Sequence, residues 1–159
     1  MPRRLNNLVV LTVFAASVGV AGPLRAQDVS ADCARLGDDD HPRPIPSDLV
    51  KSAASLFGFS SGDPDWVRNS TVYRCMGGVA WLCNYGANLT CDKADVSRMS
   101  AGADRYCHDY PSSEIVPMAA TGHATIFTWT CVGQRARIKA SEPVDQRGFI
   151  ANQWKRLDQ

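Results

Sequence analysis

Few side chains in this sequence are suited to catalysis: three histidines, six cysteines, and one serine set in Gly58-Phe59-Ser60-Ser61-Gly62. The serine stretch matches Gly-x-Ser-x-Gly, the nucleophile elbow in which a sharp strand-to-helix turn holds the hydroxyl clear of the backbone. Read literally, Ser60 attacks, His108 or His123 acts as general base, and Asp92 or Asp104 orients the base. The flanks argue against that reading of a small hydrolase. A helical period precedes the motif, a proline-containing stretch follows it, and the chain is too short for the large parallel sheet that presents such an elbow. Ser60 is therefore expected in a Ser/Gly loop. His123 is the other acid–base candidate, because the unperturbed imidazole titrates near neutrality. Its place at the head of a strand-like run predicts a hydrogen bond to the preceding turn rather than catalysis.

The cysteines answer to a different chemistry. Cys33, Cys75, Cys83, Cys91, Cys107 and Cys131 form an even set, and in an exported chain such a set implies a disulfide framework that leaves no thiol nucleophile. No Cys-x-x-Cys occurs, and Cys107-His108 has no cysteine three residues upstream of it, so neither a metal site nor haem attachment is expected. No cofactor is expected either.

Export itself is written at the N-terminus. Arg3 and Arg4 precede an apolar run of 14 residues, 8–21, and Leu24-Arg25-Ala26 ends on a small residue, which together read as a signal peptide over residues 1–26. A membrane-spanning helix needs about 20 predominantly apolar residues, so no stable membrane anchor is expected. Removing residues 1–26 from the 159 leaves 133, enough for one domain. Three of the 17 basic residues leave with the signal, so 14 basic face 16 acidic side chains, a net charge of −2. No basic stripe stands out in the sequence, and nucleic acid is not an expected partner. Residues 27–46 carry Asp38-Asp39-Asp40 beside Pro42, Pro44 and Pro46 and are expected as an acidic, proline-rich, solvated linker to a single domain over residues 47–159.

Within that domain, Leu49, Ala53, Leu56 and Phe57 recur at helical spacing, with Ser47 placed to cap and Gly58 to terminate. Residues 59–69 read as a loop. Residues 71–76 and 79–83 are strand-like runs around Gly77-Gly78, a hairpin signal. That turn sets Met76 opposite Val79, Cys75 opposite Ala80 and Val72 opposite Cys83, so Cys75 and Cys83 lie on opposite faces and cannot bond to each other. A second helix follows Ser97 or Ser100, with Ala103, Tyr106, Cys107 and Tyr110 on one face and Pro111 as its stop. Residues 124–131 and 135–140 form a second hairpin, and residues 148–157 suit either a helix or a sheet edge. The tryptophans and tyrosines are expected mainly in the core, with Tyr85 the aromatic expected at the surface. Matching places on the two hairpins suggest Cys75–Cys131, the turn-rich loop suggests Cys83–Cys91, and Cys33–Cys107 remains.

Tyr73-Arg74-Cys75-Met76-Gly77-Gly78, Leu82-Cys83-Asn84, Gly86-Ala87-Asn88-Leu89 and Ala120-Thr121-Gly122-His123, with Trp129 and Cys131, resemble a group of small exported proteins of Gram-negative bacteria without assigned function. The likeness covers about residues 70–150 and implies a periplasmic or secreted location; it assigns no site residue. Residues 99–106 are also similar to the Ser-Gly-x-Arg/Lys-Tyr loop of periplasmic c-type lysozyme inhibitors, which would give Ser100 and Arg105 the cleft-reaching roles. This sequence has one extra residue in that spacing. The sequence thus predicts an α+β domain of two hairpins and two short helices, stapled by three disulfides. Its expected role is that of a periplasmic or secreted, non-catalytic binding protein whose partner is a protein or a cell-wall ligand.

Overall fold

The computed structural model describes residues 26–59, 63–86 and 89–157. The expected signal peptide lies outside these residues apart from Ala26, and Ser60 lies outside them as well. The chain folds as α+β with two antiparallel sheets and three disulfides.

Helix α1 (Ala26–Leu36) places Val29 and Cys33 one turn apart on a buried face, with Asp28 in its first turn and Arg35 in its last, as the helix dipole favours. Strand β1 (Asp39–Pro44) then pairs antiparallel with the first hairpin. The segment expected as a linker is therefore a helix and an edge strand. Its prolines fit there because one side of an edge strand has no ladder bond to donate. The aspartates, expected to be solvated, instead find partners. Asp38 accepts from the Gly77 amide at 2.8 Å, Asp39 pairs with Arg43, and Asp40 accepts from Lys93 at 2.7 Å and from Arg147 at 2.9 Å.

A 3₁₀ turn, Ser47–Leu49, leads into α2 (Val50–Phe57), which ends at Gly58 in the left-handed conformation, φ 78°. Ser47 does not cap this helix, because the 3₁₀ turn takes up the space where the cap would sit. Most of α3 (Pro64–Ser70) falls in the expected loop over residues 59–69. Asp63 accepts the Asp65 amide at 2.9 Å and Pro64 fills the first helical position, where a missing N–H costs nothing. Strands β2 (Thr71–Met76) and β3 (Val79–Asn84) pair in the register set by Gly77-Gly78: Met76 with Val79, Cys75 with Ala80, Val72 with Cys83. One face of the hairpin, with Tyr73, Cys75, Ala80 and Leu82, packs on Val29, Ile45, Leu49, Ala53 and Val67. The other face packs Val72, Trp81 and Cys83 with Cys91, Phe149 and Trp154.

A third core is separate. Helix α4 (Ala101–Asp109) starts at Ser100, whose hydroxyl accepts the Ala103 amide at 3.1 Å. Of the face its period predicts it buries Ala103 and Cys107, while Tyr106 is half-buried and Tyr110, just past the helix end, is exposed. With the short α5 (Met118–Thr121) it covers the hairpin β4 (Phe127–Val132) and β5 (Arg135–Ser141) around Val116, Phe127, Trp129 and Cys131. The tail forms β6 (Trp154–Arg156), the sheet-edge alternative, so the larger sheet runs β1-β2-β3-β6 and the smaller one β4-β5. Each core holds one disulfide, namely Cys33–Cys75, Cys83–Cys91 and Cys107–Cys131. The expected Cys83–Cys91 bond is present and Cys75 and Cys83 stay apart. Cys75–Cys131 and Cys33–Cys107 are corrected, because the two hairpins belong to different sheets and face different cores.

Candidate functional site

Two adjoining concavities share Leu89 and His123. The larger, about 570 Å³, is bounded by Pro42 of β1, Val72 of β2, Tyr85, Thr90, Asp92 and His123. The smaller, about 370 Å³, has an apolar side of Phe57, Phe59, Leu89, Met118 and Ile150, and a polar side of Asn84, Thr125, Glu142, Asn152 and Lys155. They open where the end of α2, the loop after β3, the turn after α5 and the approach to β6 converge.

Local chemistry fixes each wall. The Cys83–Cys91 bond closes the loop after β3, and an isolated bridge joins Gly86 to Leu89 within it. Asn84 holds the loop's root by donating from Nδ2 to Ser70 Oγ at 2.8 Å and to Thr71 Oγ1 at 2.9 Å. The Tyr85 hydroxyl donates to the Asn69 carbonyl, leaving the ring exposed as expected. Phe57 and Phe59 stack at 5.8 Å, and Trp66 meets Phe59 edge-on at 5.1 Å. Lys155 donates to the Leu56 carbonyl at 3.0 Å, which holds its ammonium 5.1 Å from the Phe57 ring centre. Leu89 and Met118 remain 48% and 43% exposed, so the apolar side is open to solvent.

His123 is partly buried in the turn after α5 rather than at the head of a strand, since β4 begins only at Phe127. Its Nδ1 is buried with no hydrogen-bond partner, so the expected bond to the preceding turn is not made. The carboxylates near it are engaged elsewhere: Asp92 accepts the Thr90 hydroxyl at 2.8 Å and Glu142 accepts the Asn152 amide. Among the described residues no hydrogen bond joins His123 to a carboxylate. His108 lies against Asp109 at 3.1 Å on the exposed side of α4, and Asp104 accepts the Ala136 amide at 3.3 Å. Among the described residues no hydrogen bond joins His108 or His123 to Asp92 or Asp104, and Ser60 lies outside those residues. Ser100, cast in a lysozyme-inhibitor loop, spends its hydroxyl on the cap of α4, and Arg105 is exposed one turn along it. Among the described residues no three His, Cys, Asp or Glu side chains gather as a metal site, and no helix is long and apolar enough to cross a membrane.

A polar cluster that the sequence reading missed supports the back of this region. Arg74 is fully buried, its guanidinium 4.1 Å from the Phe149 ring centre and 4.6 Å from that of Trp154, and it pairs with Asp145. Burial pulls its pKa below the ordinary value, against the opposing pull of Asp145. Asp145 also accepts the amides of Arg147 at 2.8 Å and Phe149 at 3.1 Å, while Lys93 donates to Asp40 and to the Arg147 carbonyl, each at 2.7 Å. These contacts tie β1, the start of the segment after Cys91, and the 145–149 turn to the hairpin. The available signal was Arg74 itself, on the sheet face between Val72 and Met76. Comparison with family models, characterised proteins and solved structures finds no match.

Proposed function

We propose that this chain is a non-catalytic binding protein, exported to the periplasm or beyond, whose ligand lies across the two joined concavities. The observation that supports the reading best is the smaller concavity. It sets exposed Leu89 and Met118 beside Phe57 and Phe59, against Asn84, Glu142, Asn152 and Lys155, which suits a ligand with one apolar and one hydrogen-bonding side. The export reading is supported by the signal-like N-terminus and by three disulfides, which persist outside the reducing cytosol. A protein segment or a cell-wall fragment fits this chemistry. Capture from periplasmic extract by the disulfide-bonded protein, run beside a Leu89→Asp/Met118→Asp bait, tests it. Partners enriched by the first bait and lost from the second are expected. Identical capture by both would move the site elsewhere.

The second reading is a small hydrolase using His123 or Ser60, and it draws on the unpartnered Nδ1 of His123 beside a concavity. A panel of ester, peptide and glycan substrates decides it. The binding reading expects no turnover, whereas turnover abolished by His123→Ala or Ser60→Ala in a normally folded protein would establish the enzyme.

A further inference from the structure

The second sheet has one covered edge and one that, among the described residues, is capped only at Ala136. Residues 112–116 cover β4: Ser112 N–H donates to the Gly133 carbonyl at 3.0 Å, Cys131 N–H to Ser113 at 2.8 Å, and Val116 N–H to Trp129 at 2.9 Å. On the far side, β5 pairs with no second strand among the described residues, and its one external cap is the Ala136 N–H donating to Asp104 at 3.3 Å. Arg135 and Arg137 alternate along β5, Lys139 follows at a register shift where Trp129 pairs with Ile138 and Thr128 with Ala140, and all three are exposed. Among the described residues none of the three makes a side-chain hydrogen bond or ion pair, in contrast to Arg43, Arg74, Lys93 and Arg147, each of which pairs with an aspartate. Beside them lies a cleft of about 610 Å³, where Arg98 and Met99 face Arg135 and Arg137, with Met99 85% exposed.

We propose that β5 and this cleft form a docking edge for an extended acidic segment of a partner protein, which adds as a third strand. Alternate side chains of a strand stand about 6.7 Å apart, so Asp or Glu at every second position of the incoming segment meets Arg135 and Arg137 in turn, with Lys139 beyond them at the register shift. An apolar residue of the same segment covers Met99. Main-chain bonds to this edge supply affinity and the charges supply register. A second copy of this chain is a poor occupant, because β5 against β5 sets cation opposite cation. The surface is distinct from the groove around Leu89 and His123, and its failure leaves the groove reading untouched.

Fluorescence anisotropy with a labelled, end-capped Glu-Val-Glu-Val-Glu-Val peptide tests the inference on the disulfide-bonded protein. Binding at least tenfold tighter than for Glu-Glu-Glu-Val-Val-Val is expected, weakened by salt, by N-methylation of alternate peptide amides, and at least tenfold by Arg135→Glu/Arg137→Glu. Leu89→Asp/Met118→Asp is expected to leave it unchanged. Equal affinity for the two peptides, indifference to N-methylation, tighter binding of inorganic polyphosphate, or no binding at millimolar peptide would each overturn the proposal. Because Arg135 and Arg137 are exposed, the double variant folds, and its melting temperature, expected to match the parent, verifies this.

Discussion

Arg74 shows what a single side chain demands of this fold. A buried guanidinium is tolerable only with a partner, and Asp145 is that partner while the Phe149 and Trp154 rings, set edge-to-face with each other, both lie within cation–π distance of the cation. Removing one member leaves the other charge buried, so Asp145→Asn is expected to cost about 3–5 kcal/mol in urea unfolding. Arg74→Met/Asp145→Asn, which removes both charges, is expected to recover part of that loss. The acidic run behaves similarly. Asp40 is held below its ordinary 3.8 first by the Arg147 hydrogen bond and then by Lys93, and Asp39 by the His41 amide and Arg43. Carboxyls lowered on folding bind fewer protons in the native state, so their stabilisation is complete above the unfolded value and is lost as pH falls through the folded one. The urea midpoint is thus expected to hold from pH 7 to about pH 5 and to fall below about pH 4, with Asp40→Asn flattening the acid limb. The long-range pairs were not legible in the sequence, because Asp145 lies 71 residues from Arg74, and Lys93 and Arg147 lie 53 and 107 residues from Asp40. The local Asp39–Arg43 pair was hidden because residues 27–46 read as a solvated linker.

Elements were legible where local chemistry was complete. Gly77-Gly78 fixed the first hairpin's register before any tertiary contact was needed, and Ser100, Ala103 and Cys107 placed α4. Helix α3 was missed although Asp63-Pro64 is a cap followed by a proper first residue, because the surrounding Ser and Gly read as loop. Asp63→Ala is expected to lower stability by about 1 kcal/mol in a thermal melt. Strand β1 was hidden for another reason: its charges and prolines suit only an edge, and an edge exists only once β2 is beside it. The disulfides rank by the loops they close. By chain entropy Cys33–Cys75, spanning 42 residues, contributes about 4 kcal/mol and Cys83–Cys91, spanning 8, about 2.5. Paired Ser replacements are expected to follow that order in denaturant midpoints.

The joined concavities draw Phe57 and Phe59 from the edge of one core, Val72 and Cys91 from a second, and Met118 and His123 from α5 and the turn after it, and this arrangement explains why the candidate site was only partly readable. His123 stood out as a residue type, yet its surroundings come from α2, the loop after β3, α5 and the approach to β6, which only the assembled molecule brings together. Phe57 and Leu56 read as one amphipathic stripe, and nothing local marked Leu89 or Met118 as open to solvent. The central claim is that those exposed apolar side chains, not His123, hold the ligand. The direct test is the affinity of a partner captured by the parent protein, measured for Leu89→Asp and for His123→Ala with melting temperatures recorded alongside. The account predicts at least a tenfold loss for Leu89→Asp at an unchanged melting temperature and a change under threefold for His123→Ala, whereas undiminished affinity of Leu89→Asp would contradict it.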